Sequence, residues 1–96
     1  MPLKALLEAK RGEILRIAAK HGLTNLRVFG SAVRGDDTPE SDVDLLVEVP
    51  ARHPPFFPGG LLVELEALLG RRVQVMTPES LHWYIRDRVL KEAVPL

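Results

Sequence analysis

Two short motifs in the first half of the chain hold the side chains that could do chemistry. Gly30-Ser31 follows a run of β-branched and aromatic residues, and Asp42 and Asp44 open a second apolar run. Glycine allows backbone conformations that are closed to other residues, and it lets a ligand approach closely. Ser31 is expected to cap a short helix, whose unpaired N–H groups would favour phosphate. Gly30 and Ser31 are therefore candidate phosphate-binding residues.

The two aspartates are predicted to point to the same side of a strand. Because side chains alternate along a strand, Asp42 and Asp44 share one face, about 6.6 Å apart at about 3.3 Å per residue. Two carboxylates placed in this way repel each other unless a cation lies between them. Mg²⁺ prefers oxygen ligands and completes its shell with substrate phosphates. A phosphate corner beside this pair predicts a site for Mg²⁺ and a nucleoside triphosphate.

Other readings of the two motifs are weaker. Gly30 and Gly35 have the spacing of a Walker loop, but two aspartates follow where Lys and Ser or Thr are required. An EF-hand needs a third ligand, a glycine and a distal glutamate at fixed offsets, whereas an apolar strand follows Asp44. The pair could also line the solvated face of an edge strand, and the glycine-serine corner upstream argues against that alternative.

The elements that must position these motifs alternate between helix and strand. Apolar residues at helical spacing and period-2 alternation distinguish the two, and glycine, proline and a Thr77 cap mark their ends. The predicted class is α/β, with a small mixed sheet covered by helices mainly on one face and the site on the other. In chain order we predict a helix over 3–20, strands over 26–29 and 42–49, a helix over 61–69, a strand over 73–76 and a final helix from 78.

Composition narrows the function classes. The 96 residues predict a single domain over 1–96, and 13 basic against 13 acidic residues leave no electrostatic case for direct nucleic-acid binding. The absence of cysteine and of an apolar run of about 18 residues predicts a cytoplasmic protein that does not enter membranes. Two features stay open. The proline-rich loop 50–60 could form a lid over the site, or its aromatic residues could pack at the core's rim or meet a partner. Trp83 and Tyr84 could face a partner or the core.

The two motifs together resemble the signature of the DNA polymerase beta type nucleotidyltransferase superfamily. In this chain the signature reads Gly30-Ser31, ten further residues, and then Asp42-Val43-Asp44. The surrounding sequence is most similar to the minimal nucleotidyltransferases, which are often antitoxins paired with HEPN-domain toxins. The resemblance implies a nucleotidyltransferase fold, with Asp42 and Asp44 as catalytic Mg²⁺ ligands and Gly30, Ser31 and Arg34 binding the nucleotide. It also implies ATP as the substrate, a HEPN-domain partner and transfer of AMP to a hydroxyl of that partner.

The chain departs from that pattern at Gln74. The resemblance implies a third carboxylate on a neighbouring strand, but residues 71–78 contain no Asp or Glu. Gln74 alternates with Val73 and Val75 and so is expected on the site's face, where its amide can touch a metal but cannot serve as a base. Two functions follow: an active adenylyltransferase, or an antitoxin-like module that neutralises a HEPN-type partner by binding alone.

A third interpretation, modification of an antibiotic, resembles the same motif but lacks the extra domain that would hold the drug. The acceptor, the preferred base and the oligomeric state, including a homo-oligomer, stay open.

Overall fold

A computed structural model describes residues 2–49 and 59–96 of the chain. Within these residues, helices and strands alternate largely as the sequence pattern indicates. The elements are α1 (Leu3–Ala9), α2 (Arg11–Lys20), β1 (Thr24–Phe29), α3 (Ser31–Arg34), β2 (Val43–Glu48), α4 (Gly59–Leu69), β3 (Val73–Met76), a 3-10 turn (Pro78–Ser80), α5 (Trp83–Glu92) and β4 (Val94–Pro95).

The sheet has four strands in the order β3-β2-β1-β4. β1 runs antiparallel to both of its neighbours, whereas β2 and β3 are parallel. A parallel pair needs a crossover connection, and α4 lies between these two strands in the chain. The prediction of a small mixed sheet is therefore confirmed, and β2, which carries Asp44, has a hydrogen-bonded strand on each side.

Apolar side chains divide between the two faces of the sheet. Val43, Leu45 and Val47 of β2 enter the main core, and Leu46 between them enters a second, smaller cluster on the opposite face. Helices α1 to α4 all contribute buried residues to the main core, and α5 covers the second cluster, so most helices pack on one face as predicted. The main core contains Leu3, Leu7, Ile14, Ala18, Leu23, Val28, Ala32, Val43, Leu45, Val47, Leu61, Leu65, Leu69 and Val73.

The predicted helix over 3–20 is two helices. The chain leaves helical geometry at Lys10, whose φ and ψ are −105° and 8°. Both halves bury apolar side chains in the same core, Leu3 and Leu7 before the break and Ile14 and Ala18 after it. The break therefore divides the predicted helix into two helices that share one core.

The predicted final helix from Pro78 is also divided. Thr77 does cap at this point, but through a capping box with Ser80 that closes a three-residue 3-10 turn. Leu81 then takes an extended conformation and is 3% exposed in the second cluster, and α5 begins only at Trp83. The short strand β4, which pairs with β1, was not predicted because two residues carry no alternation pattern.

The structure answers one of the two open questions, the orientation of Trp83 and Tyr84, and does not describe most of the loop 50–60. Trp83 and Tyr84 are 78% and 67% exposed, so they face outward rather than into the core. The proline-rich loop 50–60 lies outside the described residues except for its last two positions, which begin α4. None of the helices in the described ranges has the length and apolar character that crossing a membrane requires.

Candidate functional site

Gly30 ends the connection from β1 and lies directly against Asp44. Its φ of 80° and ψ of −149° are values that glycine adopts and other residues avoid. A Cβ at this position would lie 2.3 Å from Oδ2 of Asp44. The prediction that position 30 requires a backbone conformation of glycine is therefore confirmed. The group that lies close to this glycine is the carboxylate of Asp44.

The prediction that Ser31 caps the following helix is wrong. Gly30 occupies the N-cap position of α3, no side chain caps the helix, and Ser31 is its first helical residue. Glycine at the N-cap position is a common alternative to serine. Ser31 nevertheless lies at the predicted corner, directly after Gly30.

Asp42 and Asp44 flank the start of β2. Asp42 lies just before the strand, and Asp44 is paired with Phe29 of β1 on one side and Gln74 of β3 on the other. The pKa of Asp44 is raised to about 6, first by burial and then by the negative charge of Asp42, against the opposing effect of Arg34. The two carboxylates are therefore close enough to repel each other, as the alternation predicts.

The loop before β2 is held in place by Arg71. Its Nη2 donates to the carbonyl oxygens of Thr38 at 2.8 Å and Ser41 at 2.7 Å. Within the loop, the N–H of Thr38 donates to Oγ of Ser41 at 2.7 Å. Arg72 adds a looser ion pair with Asp42, with Nε 3.7 Å from Oδ1. These contacts position Asp42 although it lies outside the strand.

Gln74 lies where the sequence places it. It is exposed and is the direct cross-strand neighbour of Asp44, on the face opposite the buried Val73. Within the described residues no three side chains of His, Cys, Asp or Glu form a group that could hold a metal ion. The position beside Asp44 therefore carries an uncharged amide.

Glu92, in the last turn of α5, is a site residue that sequence reasoning missed. Its Oε2 accepts the N–H of Gly30 at 2.8 Å, and its Oε1 accepts Nη1 of Arg34 at 3.0 Å. The side chain is 15% exposed. Because Glu92 is 62 residues from Gly30 in the chain, no local pattern could have indicated this contact.

Arg34 joins the predicted residues to Glu92. Besides that contact, its Nε donates to Oδ2 of Asp36 at 3.2 Å. Hydrogen bonds to Glu92 and then to Asp36 raise the pKa of the Arg34 guanidinium. Arg34 therefore lies beside the glycine corner as predicted, but it is already bound to two carboxylates.

The chain is similar to known proteins over most of its length. The family model for the nucleotidyltransferase domain matches residues 12–96. A protein of Methanocaldococcus jannaschii, provisionally named a protein adenylyltransferase, is 40% identical over 87 residues, which cover 91% of this chain and 92% of that protein. The protein adenylyltransferase MntA of Thermococcus cleftensis is 38% identical over 93 residues, covering 96% of this chain and 90% of MntA.

Solved structures match over most of the chain as well. A structure described as a minimal nucleotidyltransferase has a TM-score of 0.85 and 40% identity, and the match covers 100% of this chain and 97% of that one. A toxin–antitoxin crystal structure with AMP-PNP has a TM-score of 0.73 at 19% identity, covering 88% and 69%, and so shares the fold. The chain belongs to the nucleotidyltransferase domain family, in its minimal nucleotidyltransferase subgroup.

Proposed function

We propose that this protein binds Mg²⁺ and ATP at the junction of β1, α3 and β2 and transfers AMP to a hydroxyl of a partner protein. One observation carries the proposal: the Asp42 and Asp44 carboxylates lie at the Gly30 corner, with Asp44 against the glycine itself. The proposal is also supported by two relatives of this chain, which are named protein adenylyltransferases.

The donor set fits a hard cation. The pKa of Asp44 is raised by burial and by the charge of Asp42, and a cation between the two carboxylates would relieve that repulsion. Mg²⁺ commonly takes one or two carboxylates and completes its octahedral shell with phosphates and water. Bound there, Mg²⁺ would supply charge stabilisation to the triphosphate. Asp42 and Asp44 would hold the ion.

The remaining residues would bind and orient the nucleotide. The N–H groups at Gly30 and Ser31 would take the β- and γ-phosphates, and Arg34 would neutralise part of their charge. The hydroxyl oxygen of the acceptor would bond to the α-phosphorus while the bond to the β-phosphate breaks, releasing pyrophosphate. The hydroxyl proton would pass to solvent, because the amide of Gln74 cannot accept it as a base.

Labelling the acceptor tests this proposal. The purified protein is incubated with α-labelled ATP, Mg²⁺ and a HEPN-domain partner, in parallel with Gln74→Asp and with the double variant Asp42→Asn/Asp44→Asn. Label on the partner that the double variant abolishes would establish transfer by a site with two carboxylates. Label only with Gln74→Asp would mean that the nucleotide site persists without its chemistry, and no Mg²⁺-dependent nucleotide binding at all would contradict the proposal.

A second candidate function is neutralisation of the HEPN-type partner by binding alone. The observation that favours it is the exposed amide of Gln74 beside Asp44, where a third carboxylate would complete a two-metal site. The fold shared with one component of a toxin–antitoxin structure is compatible with either function.

Substitution of the two aspartates separates the two functions. If binding suffices, Asp42→Asn/Asp44→Asn protein should still neutralise the partner in a growth assay. If transfer is required, neutralisation should disappear while the two proteins still form a complex. Asp87→Asn is a matched control, because it removes one carboxylate from the exposed side of α5.

A further inference from the structure

We propose that Glu92 competes with the nucleotide for the phosphate corner, so that Mg²⁺–ATP binds only when the Glu92 carboxylate gives way. The inference rests on the proposed function and adds a residue that sets nucleotide affinity. Glu92 lies in the last turn of α5, on a different element from every residue of the glycine and aspartate motifs.

The contacts of Glu92 are those that a phosphate would make. One carboxylate oxygen accepts a backbone N–H, that of Gly30 at 2.8 Å, and the other accepts the guanidinium of Arg34 at 3.0 Å. Backbone N–H groups and arginine are the donors that proteins use for both carboxylates and phosphates. Two of the three donors assigned to the triphosphate, the Gly30 N–H and Arg34, are therefore already taken by an internal anion.

The charge balance at the corner adds to this competition. Asp36 and Glu92 both pair with Arg34, and Asp44, which lies against Gly30, adds a further carboxylate at the corner. Like charges gathered around one arginine would oppose the arrival of a further anion. Departure of Glu92 would leave the Gly30 N–H free and the guanidinium with one partner fewer.

The strength of the Glu92 contact allows displacement. Glu92 is 15% exposed, but its partner Arg34 is 48% exposed, and solvent at the arginine weakens an ion pair of this kind. The end of α5 is held by neighbouring apolar residues instead, since Val89 packs with Leu46 in the second cluster one turn before Glu92. The carboxylate can therefore leave the corner while α5 stays docked on the sheet.

Calorimetric titration with Mg²⁺–ATP tests the inference. We expect Glu92→Gln to bind the nucleotide about tenfold more tightly than the unmodified chain, which is about 1.4 kcal/mol. Glu92→Ala leaves no side-chain oxygen or amide at the corner and should bind the nucleotide at least as tightly as Glu92→Gln. The matched control Asp87→Asn removes the same charge from the exposed face of the same helix and should leave the affinity unchanged. Melting curves of each variant show that it is folded.

The outcomes separate this inference from the proposed function. Tighter binding by both Glu92 variants, or binding by them where the unmodified chain shows none, supports competition. Equal or weaker binding by folded variants overturns it and leaves the proposed function standing, since Glu92 would then orient the corner or only stabilise the fold. No binding by any of the proteins would overturn the proposed function and the competition with it.

Discussion

Gly30 and Asp44 lie so close together that a side chain at residue 30 would clash with the carboxylate, and the cost of that clash can be measured. Gly30→Ala adds a Cβ that meets Oδ2 of Asp44 at 2.3 Å, on a backbone with φ of 80°. Strain of this kind costs about 1–3 kcal/mol. We expect Gly30→Ala to lower the free energy of unfolding in urea by more than that amount, because the clash adds to the strain.

Gly35 provides a control for Gly30 without the clash. It has the same φ of 80°, but a Cβ there would meet nothing within 4 Å. Its ψ of 14° is left-handed helical, whereas Gly30 has a ψ of −149°, so Gly35→Ala should show the smaller cost of a left-handed backbone alone. In an Asp44→Ala background, the cost of Gly30→Ala should fall, because the clash is gone, but should stay above that of Gly35→Ala. An unchanged cost in that background would contradict the contact.

Asp44 should destabilise the protein at neutral pH when no cation is bound. Its pKa is raised from 3.8 to about 6, so the folded state holds the proton more tightly than the unfolded state does. Asp44→Asn should therefore stabilise the protein at pH 7, on the order of 1 kcal/mol after allowance for partial exposure. The gain should shrink as the pH falls through 6 and vanish below about 4, where the carboxyl is protonated in both states.

Urea denaturation at several pH values measures this difference. Asp87→Asn serves as the reference, because it removes an exposed carboxylate from another element. A stability gain for Asp44→Asn that stayed constant from pH 7 to pH 4 would show that ionisation of Asp44 is not its cause.

At the residue scale, sequence alone predicts what lies close together in the chain. Alternation in β2 and in β3 predicted that Asp44 and Gln74 face the site, and the register shows Gln74 as the cross-strand neighbour of Asp44. The assignment of Ser31 as a helix cap failed because Gly30 could take that position itself. Glu92 could not be predicted, since its role depends on how α5 docks on the sheet and not on any local pattern.

The docking of α5 rests on a small cluster of apolar residues. Leu46, Leu81 and Val89 are its buried members. Val89→Ala removes two methyl-sized groups and leaves a cavity, which should cost about 2 kcal/mol. Amide hydrogen exchange should accelerate across α5 and at the Gly30 N–H, whose acceptor Glu92 is on the same helix.

Leu90→Ala is the matched control for Val89→Ala. Leu90 is the next residue of α5 and is 36% exposed, whereas Val89 is 2% exposed. The control should change exchange much less. Equal acceleration in both variants, or acceleration in α5 that leaves the Gly30 amide protected, would show that this cluster does not hold Glu92 in place.

At the element scale, long periodic segments were predictable and their interruptions were not. Residues 61–69 and 73–76 form the expected helix and strand, with Gly70 in a left-handed conformation after the helix. The break falls at Lys10, a residue type that does not itself predict the end of a helix, so the pattern could not indicate it. β4 depends wholly on its pairing with β1.

At the scale of the whole molecule, a neutral chain concentrates negative charge at one place. Formal net charge is +0, yet Asp36, Asp42, Asp44 and Glu92 gather around the site. The protein therefore has no net charge to attract a nucleotide, and the carboxylates of the site oppose one where neighbouring arginines do not offset them. ATP without a divalent cation should be repelled by these carboxylates.

The stability of the fold should consequently depend on the cation and the nucleotide together. A ligand at 100 times its Kd stabilises the folded state by about 2.7 kcal/mol. For a domain of this size we expect a rise in Tm of about 10–20 °C with saturating Mg²⁺–ATP. ATP with a chelator should give little change, and Mg²⁺ alone only a small one, because each lacks the charges that the other supplies.

Melting curves at fixed pH and ionic strength measure this rise in Tm, and two variants test whether it depends on the aspartate pair. Asp42→Asn/Asp44→Asn should remove the rise with Mg²⁺–ATP, whereas Asp87→Asn, on the exposed face of α5, should keep it. A rise of the same size with ATP and chelator would mean that the nucleotide binds without the aspartate pair. Because linkage counts only ligand bound to the folded state, that result would place the triphosphate on other residues of the fold.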